Sequence, residues 1–143
     1  MKMNHIAITI LVLLLVHACE NEEDNCHKTI TFTNRTMDTL YVIANSDYPD
    51  TLAFQSQPDP LLDPNFTKVL PEESNSQALW RRDCIELAFK DLIPSDTLMV
   101  YVFDAQILES IPWDTVKSQY PVLKRHDLSL EDLQQLNWEI IYP

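Results

Sequence analysis

The side chains able to do chemistry in this chain are few and scattered. Cysteine occurs at Cys19, Cys26 and Cys84, and only His27 and His126 lie beyond the apolar leader. Cys26, His27, Cys84 and His126 are zinc-binding residue types. Adjacent Cys26 and His27 point in different directions, however, and no C-x-x-C spacing is present, so no metal site is expected. A Ser-His-Asp triad around His126 can be drawn with any serine and has no specificity. Beside Arg125 and Asp127, His126 reads as a rim histidine paired with a carboxylate. Asp104 and Glu109 are easily nominated for glycoside hydrolysis, yet 22 acids make chance pairs abundant. Trp80, Trp113 and Trp138 have faces that stack on sugars, and at their spacings they read first as core. Arg81-Arg82 reads as neutralising neighbouring acids. The expectation is a non-enzymatic protein with no catalytic residue, no metal and no cofactor.

Composition removes further mechanisms. The 143 residues include no glycine. Dinucleotide loops, the Walker A loop, the nucleophile elbow and the usual EF-hand loop all need it, because glycine adopts left-handed backbone without steric cost. Such positions here are expected to fall to Asn or Asp. A formal charge of -12 argues against a nucleic-acid partner, since phosphate binding needs clustered Lys and Arg. The length fits one domain, and 45% hydrophobic residues can form a core.

The N-terminus reads as an address and an anchor. Lys2 supplies a positive start, and residues 6–16 form an eleven-residue apolar run. That run is too short to span a bilayer, which takes about 20 residues. It ends in Val16-His17-Ala18-Cys19, which resembles the bacterial lipobox, with His17 as the uncommon residue. The resemblance implies removal of residues 1–18 as a signal peptide, with diacylglycerol attached to the Cys19 thiol and an acylated new amino terminus. Two or more acyl chains anchor a protein firmly where one does not, so the bilayer is the expected partner. Residues 20–25 hold four acids and no apolar side chain, which makes residues 19–27 a solvated tether. The tract also resembles the acidic export signal of Bacteroidota surface lipoproteins. That implies an outer-membrane lipoprotein on the cell surface, with the periplasmic face as the alternative.

With Cys19 assigned to the anchor, Cys26 and Cys84 remain. An even pair in an exported chain predicts a disulfide. It would close a loop of 57 intervening residues, stabilising by up to ~4 kcal/mol in the chain-entropy model.

Residues 28–143 read as one β-rich domain. Residues 28–34 alternate, with Ile30 and Phe32 on one face and Thr29, Thr31 and Thr33 on a wet one. A turn leads to residues 39–44, apolar on both faces, and the two strands are expected to pair as a hairpin. Residues 45–66 carry Pro49, Pro58, Pro60 and Pro64 and form a long loop pinned by Leu61, Leu62 and Phe66. It is the best candidate binding loop. Its Asp59, Asp63 and Asn65 offer calcium-type oxygens, although Asp-Pro pairs equally make turns. Short strands are expected at residues 68–70 and 76–80, a short helix at 83–89 and a central strand at 97–103. Pro112 opens a helix over residues 111–119, and residues 122–127 form a strand. Ser129 caps a further helix, with Glu131 and Asp132 at its positive end and Leu128 stapled onto Leu133. Asn137 takes the left-handed position after it, and residues 138–142 form a last strand. The fold class is therefore mainly β, an antiparallel sheet or β-sandwich of about six strands with short helical insertions, with α+β as the alternative.

The segment from Val122 through Leu133, with Asn137-Trp138 and Ile141-Tyr142-Pro143, resembles the ending of a set of small uncharacterised Bacteroidota lipoproteins. That resemblance implies location and fold kinship and brings no activity with it. The functional expectation is a membrane-anchored, surface-exposed lipoprotein serving as a binding, adhesion or envelope module for an unknown protein or glycan. The alternatives are an accessory glycan-binding subunit of an outer-membrane uptake system and, less favoured, a small hydrolase.

Overall fold

A computed structural model describes residues 26–49, 57–81 and 83–143. The leader, Cys19 and the acidic tract lie outside the described residues.

Two strands carry the core by alternation. β2 (Leu40–Asn45) and β5 (Leu98–Asp104) run antiparallel, from Leu40 opposite Asp104 to Asn45 opposite Met99. Leu40, Val42, Leu98, Val100 and Val102 point to one face, and Tyr41, Ile43, Met99, Tyr101 and Phe103 point to the other. Both faces are buried, so these strands read as continuous apolar runs. Each such side chain contributes about 1.5–3 kcal/mol relative to exposure. β3 (Lys68–Val69) and β6 (Lys124–Leu128) complete a four-stranded antiparallel sheet in the order β3-β2-β5-β6.

One face of this sheet packs on a second, three-stranded sheet in the order β4-β1-β7. Here β1 (Thr31–Asn34) lies between β4 (Ser74–Asn75), antiparallel, and β7 (Glu139–Tyr142), parallel. Phe32 and Ile140 fill the space between the sheets. Ile85 and Phe89 of α2 (Ile85–Asp91) and Leu133 of α5 (Leu130–Gln135) join them. The opposite face of the large sheet is covered by α3 (Ala105–Ser110) and α4 (Trp113–Gln119), through Ala105, Leu108 and Val116. A short α1 (Pro64–Thr67) precedes β3. The fold is mainly β with short helices. Among the described residues, no helix is long and apolar enough to cross a membrane.

Several expectations are corrected. β1 and β2 are not a hairpin, because they belong to different sheets. The intervening corner is held by buried Asn34, whose amide nitrogen donates to the carbonyls of Asp38, Val69 and Leu70, while its oxygen accepts from the Thr36 amide. Thr33 does not face water. It is buried, donates to Glu139 at 2.5 Å and shares a hydrogen bond with Ser74, tying all three strands together. Residues 76–80 are not a strand, and β4 ends at Asn75. Leu62 does not pin the long loop, being 78% exposed, whereas Pro60 is buried. Left-handed backbone falls to Asp96 and Asn137 as expected, but also to Glu72, Tyr120 and Trp138. At two of these, helix-end bonds hold the turn: the Tyr120 amide donates to Val116 and the Trp138 amide to Leu133, both at 2.9 Å.

Candidate functional site

Residues 57–67, at the end of the proline-rich loop, build one wall of a cleft. Asp59 accepts from the Leu61 amide at 2.9 Å and caps a single 3-10 turn, Pro60–Leu62. Thr67 donates to the Pro60 carbonyl at 2.7 Å, folding α1 back on that turn. The indole of Trp113 on α4 donates to the Gln57 carbonyl and ties that wall to the helix. Residues 78–81 and Asp83 form the facing wall, where the Trp80 indole donates to the Asp83 carbonyl at 3.0 Å. Val42, Ile43 and Ala44 of β2 line the remaining side.

The cleft is open to solvent and holds about 470 Å³, lined by Phe66 and Trp80 together with Asp59, Asp63, Asp83 and Arg81. Arg81 bridges the walls, with its guanidinium 3.7 Å from the Phe66 ring centroid. Apolar faces beside a few convergent polar groups are the usual make-up of a small-ligand site. Another hollow, about 570 Å³, lies between Pro64 and Gln77, but its lining holds no aromatic ring. The cleft wall from Gln57 to Thr67 overlaps the loop that the sequence marks as a candidate binding loop. Sequence reasoning missed the facing wall, because Trp80 and Arg81 read there as core and as charge compensation.

A second cluster gathers where the chain enters the domain. Cys26 and Cys84 are free thiols, and their sulfurs lie within 4.8 Å of each other and of a Glu86 carboxylate oxygen. Cys84 Sγ is 3.3 Å from Glu86 Oε2. His27 grips the same carboxylate twice, its amide donating to Oε2 at 2.9 Å and its Nδ1 lying 2.5 Å from Oε1. The ring stacks on Trp138 at 4.2 Å, and the His27 carbonyl accepts from the Ile85 amide. Partial burial alone would raise the Glu86 carboxyl, but the bonds from His27 outweigh it and hold the group below its ordinary value. The hydrogen bond to Cys84, with lesser help from burial and from the Glu86 charge, pushes the Cys26 thiol up to about 11.

The other nominated residues have structural partners. Asp104 caps α3, accepting from the Gln106 and Ile107 amides. Glu109 accepts from Lys68 at 2.8 Å and from Tyr41 at 2.9 Å, which holds its carboxyl below the ordinary range. The pair is thus absorbed in holding α3 to the sheet. His126 is not paired with a carboxylate. Asp127 binds Arg125 at 2.6 Å, and His126 Nε2 has no hydrogen-bond partner among the described residues. Burial, then nearby Lys124, lowers that imidazole's pKa. Trp80, Trp113 and Trp138 are each half-buried against a core cluster. Asp59 is engaged as the cap of its turn.

Comparison with protein-family models, with curated proteins and with solved structures returns no match.

Proposed function

We propose that this chain is an outer-membrane lipoprotein, anchored through a lipidated Cys19 and displayed at the cell surface, whose domain is a non-enzymatic binding module. The observation that carries the binding role is the cleft between residues 57–67 on one side and residues 78–81 with Asp83 on the other. It combines two aromatic side chains, three carboxylates and one guanidinium in about 470 Å³. The lipobox-like Val16-His17-Ala18-Cys19 and the acidic tract after it support the anchor and the outward display.

The ligand class favoured by this lining is a neutral glycan. Trp80 offers a face for a sugar ring, and Asp59, Asp63 and Asp83 accept bonds from hydroxyls. The acids disfavour anionic polymers. The corresponding role is that of an accessory glycan-binding subunit of an uptake system. The Cys26–Cys84 pair belongs to the same proposal. An envelope disulfide oxidant would take two electrons and two protons from the thiols, becoming a dithiol itself and leaving a staple between anchor segment and domain.

Two experiments test this reading. Protease added to intact cells should remove a C-terminally tagged copy and spare one whose acids at residues 20–24 are replaced by Ala; protection of both copies refutes surface display. On a glycan array, the protein should bind at least one neutral oligosaccharide, with tryptophan quenching that Trp80→Ala and Arg81→Ala abolish. Binding that persists in both folded variants places the ligand elsewhere and overturns the cleft assignment.

A further inference from the structure

The cluster at Cys26, Cys84 and Glu86 has a second chemistry that disulfide closure does not use. The three ligand atoms lie within 4.8 Å of one another. Zinc holds sulfur at about 2.3 Å and carboxylate oxygen at about 2.0–2.2 Å. Two such ligands on a tetrahedral ion stand roughly 3.6 Å apart by those bond lengths. Cys84 Sγ donates to Glu86 Oε2 at 3.3 Å, a separation close to that of two ligands on one ion.

The surroundings match what a metal carboxylate needs. Glu86 turns Oε2 toward the sulfur and is held at Oε1 by His27 Nδ1. His27 is itself fixed by its stack on Trp138 and by its main-chain bond to Ile85. A partner on the second carboxylate oxygen orients a ligand and sharpens its affinity. We propose that the dithiol form of this cluster is a binding site for a thiophilic divalent cation of the zinc class. Cys26, Cys84 and Glu86 are the ligands, and His27 positions Glu86. Three protein ligands leave one coordination position open to solvent.

Cation uptake and the disulfide are exclusive states of one pair, because the ligand is the thiolate and oxidation removes it. Binding releases the thiol protons to solvent as the two sulfur–metal bonds form. The site therefore lies where the chain enters the domain, and its Cys84 follows directly on the cleft wall at Asp83. Sequence spacing alone argued against zinc, since adjacent Cys26 and His27 point in different directions and no C-x-x-C spacing is present. The fold brings in Glu86 instead and gives His27 the supporting place.

The inference stands apart from the cleft, and its test uses different residues. The full-length protein, purified in detergent and reduced, would be titrated with Cd²⁺ while sulfur-to-metal charge-transfer absorption is followed. One equivalent should bind, and Cys84→Ser should remove the band. Glu86→Gln and His27→Ala should each weaken uptake by about tenfold or more. Circular dichroism checks that each variant is folded, and the Glu86 and His27 variants decide the matter if Cys84→Ser does not fold. A wild type without the band would leave a disulfide pair only. A band of full strength and affinity in both Glu86→Gln and His27→Ala would mean plain dithiol chelation. Either result overturns the proposal.

Discussion

The Arg81 guanidinium lies 3.7 Å from the centroid of the Phe66 ring, joining the two walls of the cleft. Arg81 is exposed, so this contact is worth about 0.5–1 kcal/mol. Other ties of residues 57–67 include the Asp59 cap, the Thr67 bond to Pro60, the Trp113 bond to Gln57 and the Asn75 bond to the Asn65 carbonyl. Arg81→Ala should therefore raise local opening by about two- to fivefold, the factor equivalent to that energy. Hydrogen exchange at the Leu62 and Phe66 amides, bonded to Asp59 and Asp63 in the closed segment, reads this directly. Unchanged exchange there, with global stability also unchanged, would show that the bridge does not hold the wall.

Ser129 and Asp132 cap α5 reciprocally. The Asp132 amide donates to Ser129 Oγ at 3.1 Å, and the Ser129 amide donates to Asp132 Oδ2 at 2.9 Å. Behind the cap, Leu128 and Leu133 are both buried in the core between the sheets. Ser129→Ala leaves the first turn without its acceptor and should cost about 1 kcal/mol. A urea titration with unchanged slope and a lowered midpoint is the expected outcome.

That cap was legible because its chemistry is local: a serine, an acid three residues on, and leucines on either side. The apolar runs of β2 and β5 were legible for the same reason, since burial of both faces shows in the residues themselves. Strand pairing was not. Period two in residues 28–34 marks a strand, but nothing there says that its partners are Ser74 and Glu139 rather than the next strand. The Asn34 to Asp38 corner has the composition of a hairpin turn, yet it carries the chain from one sheet to the other. The left-handed positions of Tyr120 and Trp138 were hidden because helix-end hydrogen bonds override side-chain preference at a cost of about 1–2 kcal/mol each. The cleft was half legible, through its prolines. The role of Glu86 was not, because only folding sets it beside a cysteine 60 positions earlier.

The same helix cap has a pH signature. Hydrogen bonds from the Ser129 hydroxyl and amide hold the Asp132 carboxyl below its ordinary value. A depressed carboxyl stabilises the fold above its unfolded pKa, and that contribution is lost as pH falls through the folded one. The urea midpoint of Asp132→Asn should thus lie below wild type at neutral pH. The gap should close on acidification beneath the ordinary carboxylate value of 3.8. A gap independent of pH down to full protonation would mean that the charge on Asp132 contributes nothing to the cap.

Asn34 should be the most costly polar residue to lose. Its side chain is fully buried at the corner between the sheets. The amide nitrogen reaches the Asp38 carbonyl at 2.7 Å, Leu70 at 3.1 Å and Val69 at 3.3 Å, while the oxygen accepts from the amide and hydroxyl of Thr36. Val69 belongs to β3, so these bonds tie the end of one sheet to the edge of the other. Asn34→Ala removes five bonds at this corner and leaves the buried Val69 carbonyl without its Asn34 donor, a loss of about 1–3 kcal/mol for that group before the part-buried ones are added. A net loss of about 3 kcal/mol is expected, several times that of an ordinary surface change. Asn34→Asp separates shape from donor chemistry, because it keeps the acceptor for Thr36 and sets a second oxygen against three carbonyls. It should destabilise at neutral pH at least as much as Asn34→Ala. If Asn34→Asp instead left the urea midpoint at the wild-type value, the amide nitrogen would not be what holds the corner.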